Sequence, residues 1–154
     1  MKKILITLVA TAVLGISSSY AIPDPGDSNV KVSETVLESF KKEFPNAEYV
    51  RWDKNGDYFV ASFNNDMQRL SVYFDESGKI YSTTRFIKTD AVPLNALKSL
   101  QQKYNLQETE IAAMEVSKES RTYYLFSFTK DKKYHIIESD ASGNLKMIKS
   151  KKIG

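Results

Sequence analysis

The stretch VRWDKNGDYFVASF, Val50 to Phe63, decides the fold. Two short runs rich in aromatic and β-branched residues flank Asn55-Gly56, a dipeptide suited to the left-handed backbone of a two-residue hairpin turn. With Lys54 facing Asp57, Trp52 faces Phe59 and Val50 faces Ala61. A loop at residues 64–67 then pairs Phe63 with Gln68, Ala61 with Leu70 and Phe59 with Val72. A further loop ending in Gly78 pairs Phe74 with Ile80. Strand alternation sends Val50, Trp52, Phe59, Ala61, Phe63, Leu70, Val72, Phe74 and Ile80 to one face, the expected core. The opposite face carries Tyr49, Arg51, Asp53, Tyr58, Val60, Arg69, Ser71, Tyr73, Tyr81, Thr83 and Arg85.

Helices precede the strands. From Ser33, Val36, Leu37, Phe40 and Phe44 fall on one helical face, and Pro45-Asn46 ends the run. After Pro93, Leu94, Leu97, Leu100 and Tyr104 repeat the pattern up to Asn105. Asp75-Glu76-Ser77-Gly78 recurs as Asp140-Ala141-Ser142-Gly143, a shift of 65, and Phe63 recurs as Phe128. Leu37, Phe40 and Phe44 match Leu97, Leu100 and Tyr104 at a shift of 60, so five residues are inserted after the second helix. Strands are expected at residues 47–53, 57–63, 69–74 and 79–86, then at 111–117, 122–129, 133–139 and 144–150. The fold class is α+β: a tandem repeat of a helix plus a four-stranded antiparallel sheet unit, residues 33–90 and 91–154, with the helices on one sheet face. In the second unit Tyr124, Phe126, Ile137 and Met147 fit one face. Leu125, Ile136 and Ile148 fit the other, so both faces are apolar and the second is either covered or an interface.

The chain has 154 residues, 42% of them hydrophobic, and no cysteine. This excludes disulfides, a thiol nucleophile, thiolate zinc and a lipid-modified cysteine. Its one histidine, His135, excludes any site that needs two imidazoles. Met1-Lys2-Lys3, the 13-residue apolar stretch 4–16, and Ser19 and Ala21 at −3 and −1 read as a secretory signal peptide cleaved after Ala21. The apolar run falls short of the ~20 residues that span a bilayer, so no stable membrane insertion is expected after cleavage. Removing residues 1–21 takes away Lys2 and Lys3 and no acid, so 22 basic and 19 acidic side chains become 20 and 19. A charge this close to balance gives no support to nucleic-acid binding. Residues 22–32, with Pro23, Pro25 and Gly26, read as a flexible leader.

Two readings attach to the outer face. Tyr58, Tyr73 and Tyr81 form a row, with Tyr49, Arg51, Arg69 and Arg85 around it. Tyrosine and arginine are the residue types that dominate protein-binding hot spots. Cross-strand tyrosines also simply stabilise a sheet. Asp53, Asn55 and Asp57 place oxygen donors at alternate positions, as calcium accepts. Yet Tyr58 and Asn64 stand where a full calcium loop has glycine and glutamate, and hairpin turns favour the same residues. His135 aligns with Leu70 and is expected to point to the core as a partly buried structural residue. No nucleophile elbow, phosphate loop or zinc-protease motif is present, so an enzyme is not expected.

Phe44-Pro45-Asn46-Ala47, Val50-x-Trp52, Tyr58-Phe59-Val60, Asp75-Glu76-Ser77-Gly78-Lys79 and the helix led by Pro93 resemble the PepSY-like, beta-lactamase-inhibitor-like proteins exported by Bacteroidetes-type bacteria. The resemblance covers nearly all of residues 32–152. It implies a periplasmic or secreted, non-enzymatic protein of tandem helix-on-sheet units. In such families a concave sheet face grips an enzyme, or a module restrains a peptidase, and some relatives are described as calcium-regulated. No inhibitory contact motif of these families is matched here. The expected function is a protein-binding module acting through its open sheet face on another protein, such as an envelope enzyme it inhibits. The alternative is a calcium-responsive envelope protein.

Overall fold

The computed structural model describes residues 30–154. The expected signal peptide and most of the leader lie outside the described residues. Helix α1 (Glu34–Glu43) is followed by strands β1 (Glu48–Asn55), β2 (Tyr58–Asn65), β3 (Gln68–Phe74) and β4 (Ile80–Ile87). Helix α2 (Leu94–Tyr104) is followed by β5 (Ala112–Lys118), β6 (Arg121–Lys130), β7 (Lys133–Ser139) and β8 (Leu145–Lys152). The strands lie in chain order in one eight-stranded sheet rather than in two sheets of four. The described chain falls into two compact units. One holds residues up to Arg85 together with Ser117–Ser120, and the other holds Phe86–Val116 and Arg121–Gly154.

In the first unit, Ser33 caps α1 by accepting the Val36 N–H at 3.4 Å. Glu34 at the start and Lys41 and Lys42 at the end complement the helix dipole. Phe40 sits at the centre of the core. Trp52 meets it edge-on at 5.2 Å and Phe63 at 5.0 Å, both favourable aromatic geometries. All nine strand residues expected in this core pack there.

The register differs in detail. Asn55 pairs with Tyr58 and Trp52 with Ala61, so Gly56-Asp57 forms the turn. Asn65 pairs with Gln68 across Asp66-Met67, a two-residue turn where four residues were expected. Both hairpins slide by two residues, which leaves the facing of every side chain unchanged. A bulge between β3 and β4 is different. Phe74 pairs with Ile80 as expected, but Tyr73 pairs with Ser82 and Leu70 with Arg85. The extra residue inverts the facing beyond it, so Thr83 and Arg85 share the helix side with Val72 and Leu70. Their expected place on the outer face is corrected accordingly.

In the second unit, Leu97 and Leu100 pack with Tyr124, Phe126, Phe128 and Ile137. Asn105 ends α2 in the left-handed conformation, with φ 49°. Lys130 Nζ donates to the carbonyls of Tyr104 and Asn105, a cationic cap at a helix C-terminus. Met147 lies across from Ile137, on the face expected, but is 51% exposed, and Leu145 is the β8 residue that packs against the core there. Met114, Val116, Leu125 and Ile136 form a second cluster, bordered by Tyr123, Tyr134 and Ile148. The expected apolar second face is therefore present and its central side chains are buried.

One contact occurs in both units. Gly78 has φ +80°, and a Cβ there would meet Ser39 Oγ at 2.5 Å and the Thr35 carbonyl at 3.0 Å. Gly143 has φ +90°, and a Cβ there would meet the Asn95 carbonyl at 2.6 Å and also Ser99 Oγ. Each glycine ends a loop closed by an aspartate. Asp75 accepts the N–H groups of Ser77 and Lys79 at 2.9 and 3.0 Å and the Ser77 hydroxyl at 2.6 Å. Asp140 accepts the N–H groups of Ser142 and Asn144 at 2.9 and 3.0 Å and the Asn144 amide at 2.6 Å.

Gly78→Ala and Gly143→Ala are each expected to cost about 2–4 kcal/mol, from left-handed strain plus overpacking against the helix. Urea unfolding measures this, and a cost under about 0.5 kcal/mol would show that the loop can lift off the helix. The aspartates predict a pH signature. The Ser77 hydroxyl first, with backbone amides, holds the Asp75 carboxyl below its ordinary value, and the Asn144 side chain does the same for Asp140. A depressed folded value means stability that is full above the ordinary aspartate range and is lost as pH falls through the folded value. Asp75→Asn with Asp140→Asn should lower the urea midpoint at pH 7, and the gap to the parent should close below about pH 4. A gap constant down to about pH 2 would rule out a charge-dependent role.

Candidate protein-binding face

The outer face of the first unit starts from strand alternation. Asp53 lies across from Val60, which lies across from Tyr73, and Arg51 lies across from Ser62. The Ser62 and Ser71 hydroxyls bond each other at 2.9 Å. Of the expected tyrosine row, Tyr58 and Tyr81 come together, stacked with ring centroids 4.3 Å apart and planes 25° apart. The extra residue of the β3–β4 bulge is Tyr81 itself, which lets it reach Tyr58 past β3. Burial, and then the neighbouring Tyr81, push the Tyr58 phenol above its ordinary value.

Tyr73 does not present a surface. It is 2% exposed, and burial pushes its phenol up. Val60, Ser82 and Thr84 around it are also buried. The expected open row is thus a stacked pair beside a buried tyrosine.

The arginines divide. Arg51 is exposed and grips Asp53 Oδ2 through Nε at 3.0 Å and Nη2 at 2.8 Å. Arg69 is exposed on the outer face, across from Asn64. Arg85 lies on the helix side and donates to Gln68 Oε1 at 3.4 Å. Tyr49 sits in a bulge of β1 with φ 53° and is 63% exposed. Lys118, at the end of β5, places Nζ 4.5 Å from the centroid of Tyr81, within cation–π reach. Its position in sequence carries no local signal of this contact.

Of the three oxygen donors expected to suit calcium, Asp53 already holds the Arg51 guanidinium, and Asp57 lies in the hairpin turn. Among the described residues, no three His, Cys, Asp or Glu side chains cluster to hold a metal ion. The structure adds nothing to the calcium expectation. His135 lies across from Phe128, its ring stacked on that ring at 5.1 Å and near Tyr104 at 6.1 Å. It is half-buried on the core side, in the place that Leu70 takes in the first unit.

Among the described residues, no helix is long and apolar enough to cross a membrane. No family model matches the chain, and no curated protein matches it significantly. Solved structures do match. A Bacteroides eggerthii protein provisionally described as periplasmic aligns with TM-score 0.69 and 16% identity, over 79% of this chain and 89% of its own. A BLIP-like protein of Bacteroides fragilis aligns with TM-score 0.67 and 20% identity, over 85% and 94%. A DUF2874 family protein of Bacteroides uniformis aligns with TM-score 0.68 and 17% identity, over 79% and 89%. At these identities the likeness is one of fold.

The face makes a stability prediction. Tyr73→Ala should cost about 3–5 kcal/mol, as a buried aromatic does. Tyr58→Ala, on the half-exposed pair, should cost about 1 kcal/mol. Denaturant unfolding of the two variants checks this, and equal costs would show that both rings serve the sheet alike.

Proposed function

We propose that the chain is an exported, non-enzymatic protein-binding module of the cell envelope, cleaved after Ala21, that restrains an enzyme partner. The observation that carries this reading is the stacked Tyr58–Tyr81 pair, with Lys118 across it and Arg51 and Arg69 exposed on the same sheet face. Two rings stacked in the unbound protein have little conformational freedom left to lose on binding. Arginines at the rim favour a partner patch that carries carboxylates. The BLIP-like and periplasmic structures of like fold support both the location and the role. We read the two units as copies of one helix-plus-four-strand design. The Gly78 and Gly143 contacts, at helix positions 60 residues apart, support that reading.

The immobilised mature protein, exposed to periplasm of its native cell, should capture a partner. Tyr58→Ala and Tyr81→Ala should stay folded and each weaken capture by about 2 kcal/mol, roughly thirtyfold. Trp52→Ala, in the core, should reduce capture only in proportion to the unfolded fraction. Undiminished capture by both folded tyrosine variants would overturn the proposed face.

A further inference from the structure

Strand β8 ends the sheet order, so among the described residues one of its edges has no strand neighbour. Its sequence, LKMIKSKK, carries four lysines and no acid. With Lys132 and Lys133 at the β6–β7 turn, this corner of the second unit is strongly basic, and Asp131 is the one acid within that turn. No ion pair among the described residues neutralises any of these lysines. Lys133 and Lys152 stand directly across from each other, a like-charge pairing that costs stability.

The backbone at this edge is defined. Ile153 N–H donates to the Lys132 carbonyl at 2.8 Å, so Ile153 points its polar groups toward β7. Antiparallel alternation then turns those of Lys151 and Lys149 inward, and those of Lys152 and Ser150 outward. Lys149 and Lys151 lie across from Ile136 and Tyr134, so both are on one face of the sheet. An added strand would lie ~4.8 Å away, with its side chains ~5 Å from those directly opposite.

We propose that the outer edge of β8 receives an extended acidic segment of a partner protein as an added strand. Main-chain bonds to Ser150 and Lys152 would hold it, and its carboxylates would face Lys149 and Lys151. The same lysines bar the most available wrong partner, a second copy of β8. In a self-pair centred on Ser150, Lys149 would oppose Lys151 twice. An acidic strand relieves the repulsion that a copy would multiply. This inference concerns another surface than the tyrosine face and does not depend on it.

The test uses a synthetic seven-residue peptide alternating glutamate with valine, a lysine-for-glutamate control, and vesicles of anionic phospholipid. Amide spectra of the mature protein should shift at Ser150 and Lys152 with the acidic peptide only. Binding should weaken at high salt. Lys149→Glu with Lys151→Glu should weaken it tenfold or more. Ser150→Pro, which removes an outward N–H and keeps both inward neighbours, should abolish it. The double lysine variant decides the matter if the proline variant does not fold. The inference is overturned if the acidic peptide fails to bind, if it binds the charge-reversed protein equally, or if vesicles bind where the peptide does not.

Discussion

Each helix is set against its unit by a glycine that tolerates no side chain. Gly78 meets α1 at Thr35 and Ser39, and Gly143 meets α2 at Asn95 and Ser99, in each case two residues four apart on one helical stripe. That approach sets how far each helix stands from the strands. In the first unit it lets Phe40 enter among Trp52, Phe63 and Phe74. In the second, Leu97 and Leu100 settle on Phe126 and Ile137. The aspartates four and three positions upstream of Lys79 and Gly143 hold the loops in the shape that makes the contact. Without that shape the aromatic cores would lose their helical lid.

Much of this architecture was legible because side-chain facing in a strand depends only on parity. The residue types place the first turn one residue early, at Asn55-Gly56, and a four-residue loop where Asp66-Met67 turns alone. Each difference moves the pairing by two, so the nine core residues stay on their side. Asp66 and Met67 hold φ values of 48° and 62° without a glycine, so their tight turn left no trace in the residue types. The β3–β4 bulge was equally silent. Its single added residue changed parity and carried Arg85 to the helix side.

The candidate face was legible in composition and only partly in geometry. Alternation names the outer residues but says nothing of what is stacked or hidden among them. Tyr73 reads like Tyr58 in the sequence, yet one is buried and the other half-exposed. Lys118 is some 37 residues from Tyr81, so its contact belongs to tertiary structure alone. The basic edge strand is visible as a run of lysines, but its meaning depends on β8 having one strand neighbour among the described residues, a fact of the fold rather than of the residue types.

Strand order that follows chain order has a kinetic consequence. Every recorded pairing joins a strand to the one made just before it, and two of the first unit's turns hold only two residues. Closing such short loops costs little entropy, and contacts that are close in sequence speed folding. A chain that must cross a membrane unfolded and refold on the far side would profit from this. Under the export proposed above, each hairpin could close as its second strand arrives, without waiting for β8.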